Sequence, residues 1–329
     1  MARRTCCLAQ AADFPYAGGM THQRHSLMVA TILASFMPLS AESLGDWKAD
    51  RDGSIVSVSH GDRPVLEYQS APNPLKPYVI KLYSPSGVQV LRDAPHDHLH
   101  HHGLMYAIAV DGVDFWAENA EVKPGKQAPR RTESDRIEIT ASDEGAVLAQ
   151  SIDWIHPSGT VLLREMRRIT VDGASKQNTT RLVWRSRLEP PAGADAVQLA
   201  GSPYFGLGMR FVESMDTGGE FFNSARAEGT VLDGTLRHVP ADWCAYAASV
   251  DGKPVTVAMF GHPANIRRPT TWFTMTRPFA YLSATLVRDD APLTLTAGEK
   301  LEITYVVAIW DGPANADAVG RLYQAWAAE

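Results

Sequence analysis

The sequence has little cysteine and no surplus of basic residues. It contains three cysteines in 329 residues, and 31 lysine and arginine residues against 37 acidic ones, a net charge of -6. Cys6 and Cys7 lie in a predicted leader, so Cys244 stands alone in the mature chain. A lone cysteine excludes an internal disulfide and a cysteine-based metal site. Nucleic-acid binding is disfavoured, because such proteins normally carry a basic surplus.

Long apolar runs are missing after residue 42. A transmembrane helix needs about 20 apolar residues, so we expect no stable membrane span in the mature protein. Before that point, Met20 opens a short basic start, which is followed by an apolar run from Leu27 to Leu39 and by small residues. This layout is typical of a signal peptide. We predict a leader at 1–41 with Met20 as the true start, and a periplasmic or secreted protein. An uncleaved anchor is the alternative.

Nucleotide-binding motifs are also missing. The sequence has no P-loop, no G-x-S-x-G elbow and no strand-linked G-x-G-x-x-G. We therefore expect no nucleotide cofactor and no serine-elbow hydrolase.

Short segments with alternating apolar and polar residues fill the mature part. "RIEITASD" and "NTTRLVWRSRLEP" are examples, and turn signals separate such segments at short intervals. Period-two alternation predicts strands that are buried on one face. Only "NADAVGRLYQAWAAE" at the end is typical of a helix. We predict an all-β protein, an antiparallel β-sandwich with one short C-terminal helix, that forms a single domain over 42–329.

One stretch, "HDHLHHHG", holds five of the eleven histidines: His96, His98, His100, His101 and His102. On a strand, His98 and His100 would share one face, and His101 would take the other. Neutral imidazole binds transition metals and titrates near neutrality. We predict His98 and His100 as ligands of one divalent ion (Mn, Zn, Co or Ni). Gly103 predicts a turn or a close backbone approach. A solvated polar strand end is the alternative.

An aromatic and acidic stretch follows in "DGVDFWAEN". A turn at Asp111 and Gly112 leads to Trp116 and Glu118. An indole ring packs against the C–H face of a sugar, and a carboxylate binds hydroxyl groups or moves protons. We predict Trp116 as a substrate contact and Glu118 as a catalytic acid or base. Alternatively, the aromatics belong to the core and Glu118 to the surface.

Two further stretches supply candidate binding residues. "MFGHPANIRRPTTWFTM" contains His262, Asn265, Arg267 and Trp272, and "SPYFGLGMRF" contains Arg210. Loops held on a rigid β-scaffold commonly carry function. We predict His262 as catalytic and the other four residues as substrate contacts. The alternatives are a structural loop and, for Arg210, a salt bridge on the sheet face.

These motifs resemble a bacterial family labelled PmoA-like, after a methane oxygenase. The resemblance rests on "DHLHHHGL" (with His102 in place of the family's arginine), on "GVDFW" and on "HPANIRRPTTW". Several strand segments are similar to those of galactose-mutarotase-like super-sandwich proteins, which implies a carbohydrate-related fold but assigns no activity. Methane oxidation is rejected, because it requires membrane spans that the mature sequence lacks.

The predicted function is that of an exported carbohydrate-active enzyme. His101 and His262 would form an acid-base pair with Glu118, and would epimerise, eliminate or hydrate a sugar or keto-sugar, with or without help from the metal. The expected partner is a small molecule or an oligosaccharide. A non-catalytic carbohydrate-binding or metal-binding envelope protein is the alternative. A glycosidase pair of carboxylates that includes Glu118 also stays open.

Overall fold

Antiparallel strands dominate the structure, as the alternating segments predict. The computed structural model describes residues 46–71, 75–119, 122–129, 137–174 and 178–329, all within one unit, Ser43–Glu329. The predicted leader lies outside the described residues. In the described ranges, no helix has both the length and the hydropathy needed to cross a membrane.

The largest sheet has ten strands. Numbered along the chain, they are β1 (Trp47–Asp52), β2 (Ile55–His60), β3 (Arg63–Gln69), β4 (Tyr78–Leu82), β5 (Leu104–Ala107), β14 (Gly206–Arg210), β16 (Thr230–Asp233), β17 (Leu236–Ala241), β20 (Thr270–Met275) and β21 (Tyr281–Thr285). Their order across the sheet is β1-β2-β3-β4-β5-β14-β21-β20-β17-β16. The histidine segment lies in the connection between β4 and β5.

A second sheet has nine strands. They are β8 (Lys126–Pro129), β9 (Glu138–Ser142), β10 (Gly145–Ile155), β11 (Val161–Ala174), β12 (Thr179–Glu189), β15 (Glu220–Asn223), β18 (Trp243–Val250), β19 (Lys253–Gly261) and β23 (Leu301–Asp311). A small third sheet contains β6 (Ala109–Val110), β7 (Val113–Asp114), β13 (Ala196–Ala200) and β22 (Leu293–Thr296). A 3-10 helix spans Glu213–Met215.

Strand β23 shows how the alternation builds the layers. Tyr305 and Val307 join the core that the two large sheets share, whereas Val306 and Ala308 belong to a second apolar cluster. Neighbouring residues of a strand point to opposite faces, so β23 is buried on both sides. The predicted antiparallel sandwich is confirmed.

The second apolar cluster is covered by the one α-helix of the described chain, α1 (Ala316–Ala327). Its buried residues Val319, Leu322, Tyr323 and Trp326 follow helical spacing. The side chain of Asn315 caps the helix by accepting a hydrogen bond from the backbone N–H of Ala318 at 2.9 Å. The predicted C-terminal helix is confirmed.

Candidate functional site

The histidine segment forms turns rather than a strand, which corrects the prediction of alternating faces. The backbone N–H of His98 donates to the carbonyl of Pro95, and that of His101 donates to the carbonyl of His98, both at 2.9 Å. Strand geometry resumes at Leu104. Because of these turns, the rings of His98, His100 and His101 gather, with centroids 4.6 to 5.8 Å apart.

Gly103 carries the segment into the sheet. A Cβ atom there would lie 2.8 Å from the carbonyl oxygen of Ile80 and closer still to that of Val79. The Gly103 carbonyl accepts a hydrogen bond from the backbone N–H of Arg210 at 2.9 Å. The backbones therefore approach as closely as the sequence predicts, and no other residue fits without displacing β4.

Four charged side chains form a chain beneath the segment. The two ring nitrogens of His102 lie 2.7 Å from an Asp93 oxygen and 3.1 Å from a Glu118 oxygen. The other oxygen of Glu118 accepts a hydrogen bond from the Lys76 ammonium, which also donates to the Trp116 carbonyl at 3.1 Å. The side chains of Lys76, His102 and Glu118 are only 1, 3 and 5% exposed. The charges alternate in sign from Asp93 to Lys76, which we call the charge chain.

The charge chain favours an ionised carboxylate and a protonated imidazole. Burial alone would lower the pKa of His102, but its hydrogen bonds to Asp93 and Glu118 outweigh burial and raise that pKa. Burial would raise the pKa of Glu118, but contact with His102 and Lys76 lowers it. Burial lowers the pKa of Lys76, and Glu118 opposes that effect. Hydrogen bonds to a charged form stabilise that form.

A cleft of about 390 Å³ opens over one end of the charge chain. Its lining includes Tyr78, Asp93, His100, His102, Glu118 and Asn119. Tyr78 stacks on the His102 ring at 4.0 Å and donates its hydroxyl hydrogen bond to Asp93 at 3.1 Å. These contacts fix the orientation of the imidazole on the cleft wall. The cleft therefore presents acidic, imidazole, amide and hydroxyl groups together.

Two other histidines of the segment, His100 and His101, have lowered pKa values. Burial and the nearby charges of His98 and Lys76 lower the pKa of His100. Burial, with the charges of His100 and His98, lowers the pKa of His101 to about 2. His100 and His102 thus face one cleft with pKa values shifted in opposite directions.

Behind the cleft lies a buried group of polar side chains. The His101 ring lies 6.2 Å from the Trp116 ring and 5.3 Å from the Tyr281 ring. The Arg210 guanidinium stacks over Phe279 at 3.4 Å, and one of its nitrogens lies 3.6 Å from Asp97. Arg210 therefore contacts the histidine segment through an ion pair, which agrees with the alternative prediction of a salt bridge for this residue.

The structure does not bring the loop at 262–272 to the cleft. The His262 ring packs on Trp326 of α1 at 5.2 Å, outside the nine-stranded sheet. In the described part of the chain, no hydrogen bond, ion pair or ring contact links His262 to His101 or Glu118. This arrangement argues against the predicted pairing of His101 with His262, because a base and an acid must both reach one substrate.

The other predicted contacts in the stretch 262–272 bind the protein's own backbone. Asn265 exchanges two 2.8 Å hydrogen bonds with Thr304, and Arg267 donates to the carbonyl of Pro292 at 2.9 Å. Trp272 is fully buried and donates to the Ala241 carbonyl at 2.8 Å. These contacts stabilise the loop and the core, which agrees with the structural alternative for this stretch.

The two residues predicted to bind a metal lie close together, and the metal itself stays a prediction. His98 and His100 lie on the same segment, with rings 5.8 Å apart and tilted by 59°. Among the described residues, no group of three histidine, cysteine, aspartate or glutamate side chains is placed to hold an ion. The Nδ1 atom of His98 instead lies 3.2 Å from Asp97.

Several site residues escaped the sequence-based prediction, among them Lys76, Tyr78 and Asp93. Lys76 lies 42 residues before its partner Glu118, so no local pattern links them. Asp93 lies nine residues before its partner His102, and the sequence marks His102 only as a departure from the family motif. A lysine beside an apolar strand segment is a weak signal that becomes meaningful only once its burial is known.

The comparisons with known proteins concern the family and the fold. Residues 55–324 match the model of a family of unknown function, DUF6807. No curated protein matches the sequence. The family description names no activity, so the PmoA-like resemblance stays a prediction.

Solved structures with similar folds share little sequence with the chain. The galactosidase domain of the α-galactosidase-sucrose kinase AgaSK is 9% identical, with 80% of this chain and 42% of that chain covered and a TM-score of 0.42. YeaD of Salmonella typhimurium, described as a candidate mutarotase, is 9% identical, with 80% and 94% covered and a TM-score of 0.37. Heparan sulfate lyase HepC of Pedobacter heparinus is 9% identical, with 83% and 36% covered and a TM-score of 0.35. The chain spans about two fifths of the α-galactosidases' length. Likenesses this distant assign no activity.

Proposed function

The chain belongs to the DUF6807 family of unknown function, and we propose that it is a carbohydrate-active enzyme that transfers protons at the histidine cleft. The observation that carries the proposal is the pair His100 and His102, which line one cleft with pKa values shifted in opposite directions. Pairs of titratable groups that are pushed apart in this way identify a base and an acid. His100 is the base, and His102 with Asp93 and Glu118 is the acid side.

The burial of three of the four members of the charge chain, Lys76, His102 and Glu118, supports a functional role. Burying each ion costs several kcal/mol, and well-packed apolar residues in place of a buried ion pair are often neutral or stabilising. A chain of charges from Asp93 to Lys76 is therefore a poor way to gain stability alone. It does favour the protonated form of His102 and fix the orientation of its ring beside the cleft.

The groups of the cleft fit a polyhydroxylated, uncharged substrate. Asn119, Asp93 and Tyr78 offer hydrogen-bond donors and acceptors, while the Lys76 ammonium is matched by Glu118. A sugar would find many partners here and no unbalanced cation that selects a phosphate. We propose proton abstraction beside an anomeric or keto carbon, with epimerisation, elimination or hydration as the result, in a periplasmic or secreted enzyme.

The alternative, a non-catalytic carbohydrate-binding protein, would present exposed aromatic rings as a platform. Trp116 and Trp272 are 2% and 0% exposed, and the exposed large apolar side chains of the described chain are all aliphatic or methionine. The arrangement therefore favours an enzyme over a surface that binds glycans by stacking.

Deuterium exchange tests the proposal without knowledge of the final product. A panel of aldoses, keto-sugars and keto-glycosides is incubated with the protein in D2O, and NMR detects deuterium at carbons next to a carbonyl or anomeric centre. We expect exchange with the wild type and a loss of about a hundredfold or more in His100→Ala, because general-base catalysis contributes that much. The matched control is His96→Ala, which changes an exposed histidine of the same segment.

Two results would contradict this function. In the first, the wild type exchanges no carbon-bound hydrogen on the whole panel. In the second, His100→Ala exchanges as fast as the wild type while remaining folded.

A further inference from the structure

Several buried polar atoms behind the cleft have no hydrogen-bond partner. In the described part of the chain they include Nδ1 of His101, Nε1 of Trp116, the hydroxyl of Tyr281, and Nε and Nη1 of Arg210. All four side chains are more than nine-tenths buried. Native proteins rarely leave such atoms unpaired, and each instance calls for a missing partner. We call these four residues the donor cluster.

The four residues of the donor cluster are neighbours in the structure. The rings of His101, Trp116 and Tyr281 form a triangle with sides of 5.3, 6.1 and 6.2 Å. Arg210 lies directly opposite Tyr281 in the pairing of β14 with β21. The side chain of Arg210 stacks on Phe279, whose ring lies 5.6 Å from that of His101. The unpaired atoms therefore belong to one group of neighbours.

The chemistry of the cluster calls for a hydrogen-bond acceptor. Indole and guanidinium N–H groups only donate, and burial raises the pKa of the Tyr281 hydroxyl, so this group stays protonated and can donate. The positive charge of Arg210 is already faced by Asp97 and Asp216, each 3.6 Å away. A permanently charged anion would be repelled by those two carboxylates. A neutral oxygen that gains negative charge only during a reaction would not be repelled when it binds.

We propose that Trp116, Tyr281 and Arg210 bind a carbonyl oxygen of the substrate, which makes the substrate a keto-sugar, an aldehydo-sugar or a sugar lactone. The inference rests on the proposed function and names its substrate class. His100 links the two places, since it lines the cleft and its ring lies 4.6 Å from that of His101.

The reaction step follows from this placement. His100 takes the proton from the carbon next to the carbonyl. The electron pair of that C–H bond forms a carbon–carbon double bond, and the pair of the C=O bond moves onto the oxygen. The donor cluster then binds the resulting enolate oxygen, and preorganised donors stabilise such charge strongly in a site that excludes water. His102 gives a proton to the opposite face of the carbon, which restores the carbonyl and completes an epimerisation. Exchange with solvent then removes the proton from His100 and returns one to His102.

Tyr281→Phe tests the site, because it removes only the unpaired hydroxyl. Calorimetry measures the binding of three probes: glucono-1,5-lactone, which has an uncharged carbonyl, glucose, and glucuronate, which carries a carboxylate. We expect the wild type to prefer the lactone, and Tyr281→Phe to weaken lactone binding by about threefold to tenfold, as the loss of one hydrogen bond does. Its melting temperature should not fall. In the control Tyr246→Phe, the lost hydroxyl donates to the Met215 carbonyl at 2.6 Å, so stability falls and lactone affinity stays.

The outcomes separate this inference from the proposed function. If the lactone binds the wild type and Tyr281→Phe equally, or if Tyr281→Phe lowers the melting temperature as Tyr246→Phe does, the carbonyl site is wrong and the proposed function stands. If the wild type prefers glucuronate, the donor cluster binds a carboxylate rather than a carbonyl, and the inference is also overturned. If the wild type binds none of the probes and shows no deuterium exchange on the sugar panel, both proposals fail.

Discussion

The Lys76–Glu118 contact allows a sharp test of the charge chain. Lys76→Met removes a buried ammonium, and it leaves one oxygen of the Glu118 carboxylate without a charged partner. The hydrogen bond from His102 to the other oxygen is retained. The variant should therefore be much less stable than the wild type, although its methionine fills nearly the same volume.

The size of the effect follows from burial. The side chains of Lys76 and Glu118 are 1% and 5% exposed, so solvent hardly screens their interaction. Breaking a buried pair by removing one partner costs about 3–5 kcal/mol, and the remaining His102 contact places the loss near 3 kcal/mol. The control Lys81→Met breaks an ion pair with Glu67 whose side chains are 42% and 27% exposed, and should cost about 1 kcal/mol or less.

Urea unfolding at pH 7 measures these losses, and the double variant Lys76→Met/Glu118→Gln completes a cycle. Because the neutral amide no longer needs the ammonium, the double variant should be more stable than the sum of the two single losses predicts, by about 1 kcal/mol or more. Additivity within about 0.5 kcal/mol, or a loss in Lys76→Met no larger than that of Lys81→Met, would refute the reasoning.

Two further predictions concern the histidine segment. The folded-state pKa of His101, about 2, lies below its ordinary value of 6.5, so at acidic pH the unfolded chain binds a proton that the folded chain does not. The free energy of unfolding should therefore fall as the pH drops below about 6.5, and in urea unfolding between pH 6.5 and 4.5 the variant His101→Gln should lose less stability than the wild type. An equal loss in both proteins would count against a buried neutral ring. Gly103→Ala should lower the melting temperature by several degrees, because its Cβ atom would press on the backbone carbonyls of Val79 and Ile80, and an unchanged melting temperature in calorimetry would disprove that close approach.

Much of the fold could be predicted from local pattern. Strand β23 carries a continuous apolar run and is buried on both faces, and α1 follows its helical spacing and its Asn315 cap. Both elements are predicted by the spacing of apolar residues that lie close together in the sequence, so no distant partner is needed to recognise them. The close backbone approach at Gly103 was predictable for the same reason, since the glycine needs no distant partner to be recognised.

The site was only partly predictable, because it is built from partners distant in sequence. The stretch of histidines located the cleft, but turns rather than a strand set the directions of the rings. Lys76 and Glu118 meet across 42 residues, and no spacing rule links them. The stretch 262–272 was predicted to bind substrate, because Asn265 and Arg267 have the chemistry of binding residues. Their side chains instead donate hydrogen bonds to the backbone carbonyls of Thr304 and Pro292.

The most direct test of the acid-base cleft is the protonation state of its two histidines. Nitrogen-15 NMR of the imidazole rings at pH 7, assigned with His100→Gln and His102→Gln, distinguishes neutral rings from charged ones. The opposite pKa shifts predict a neutral His100 and a His102 that carries protons on both nitrogens. If the two rings share one protonation state and titrate together near pH 6.5, the cleft holds no base and acid pair, and the proposed chemistry is wrong.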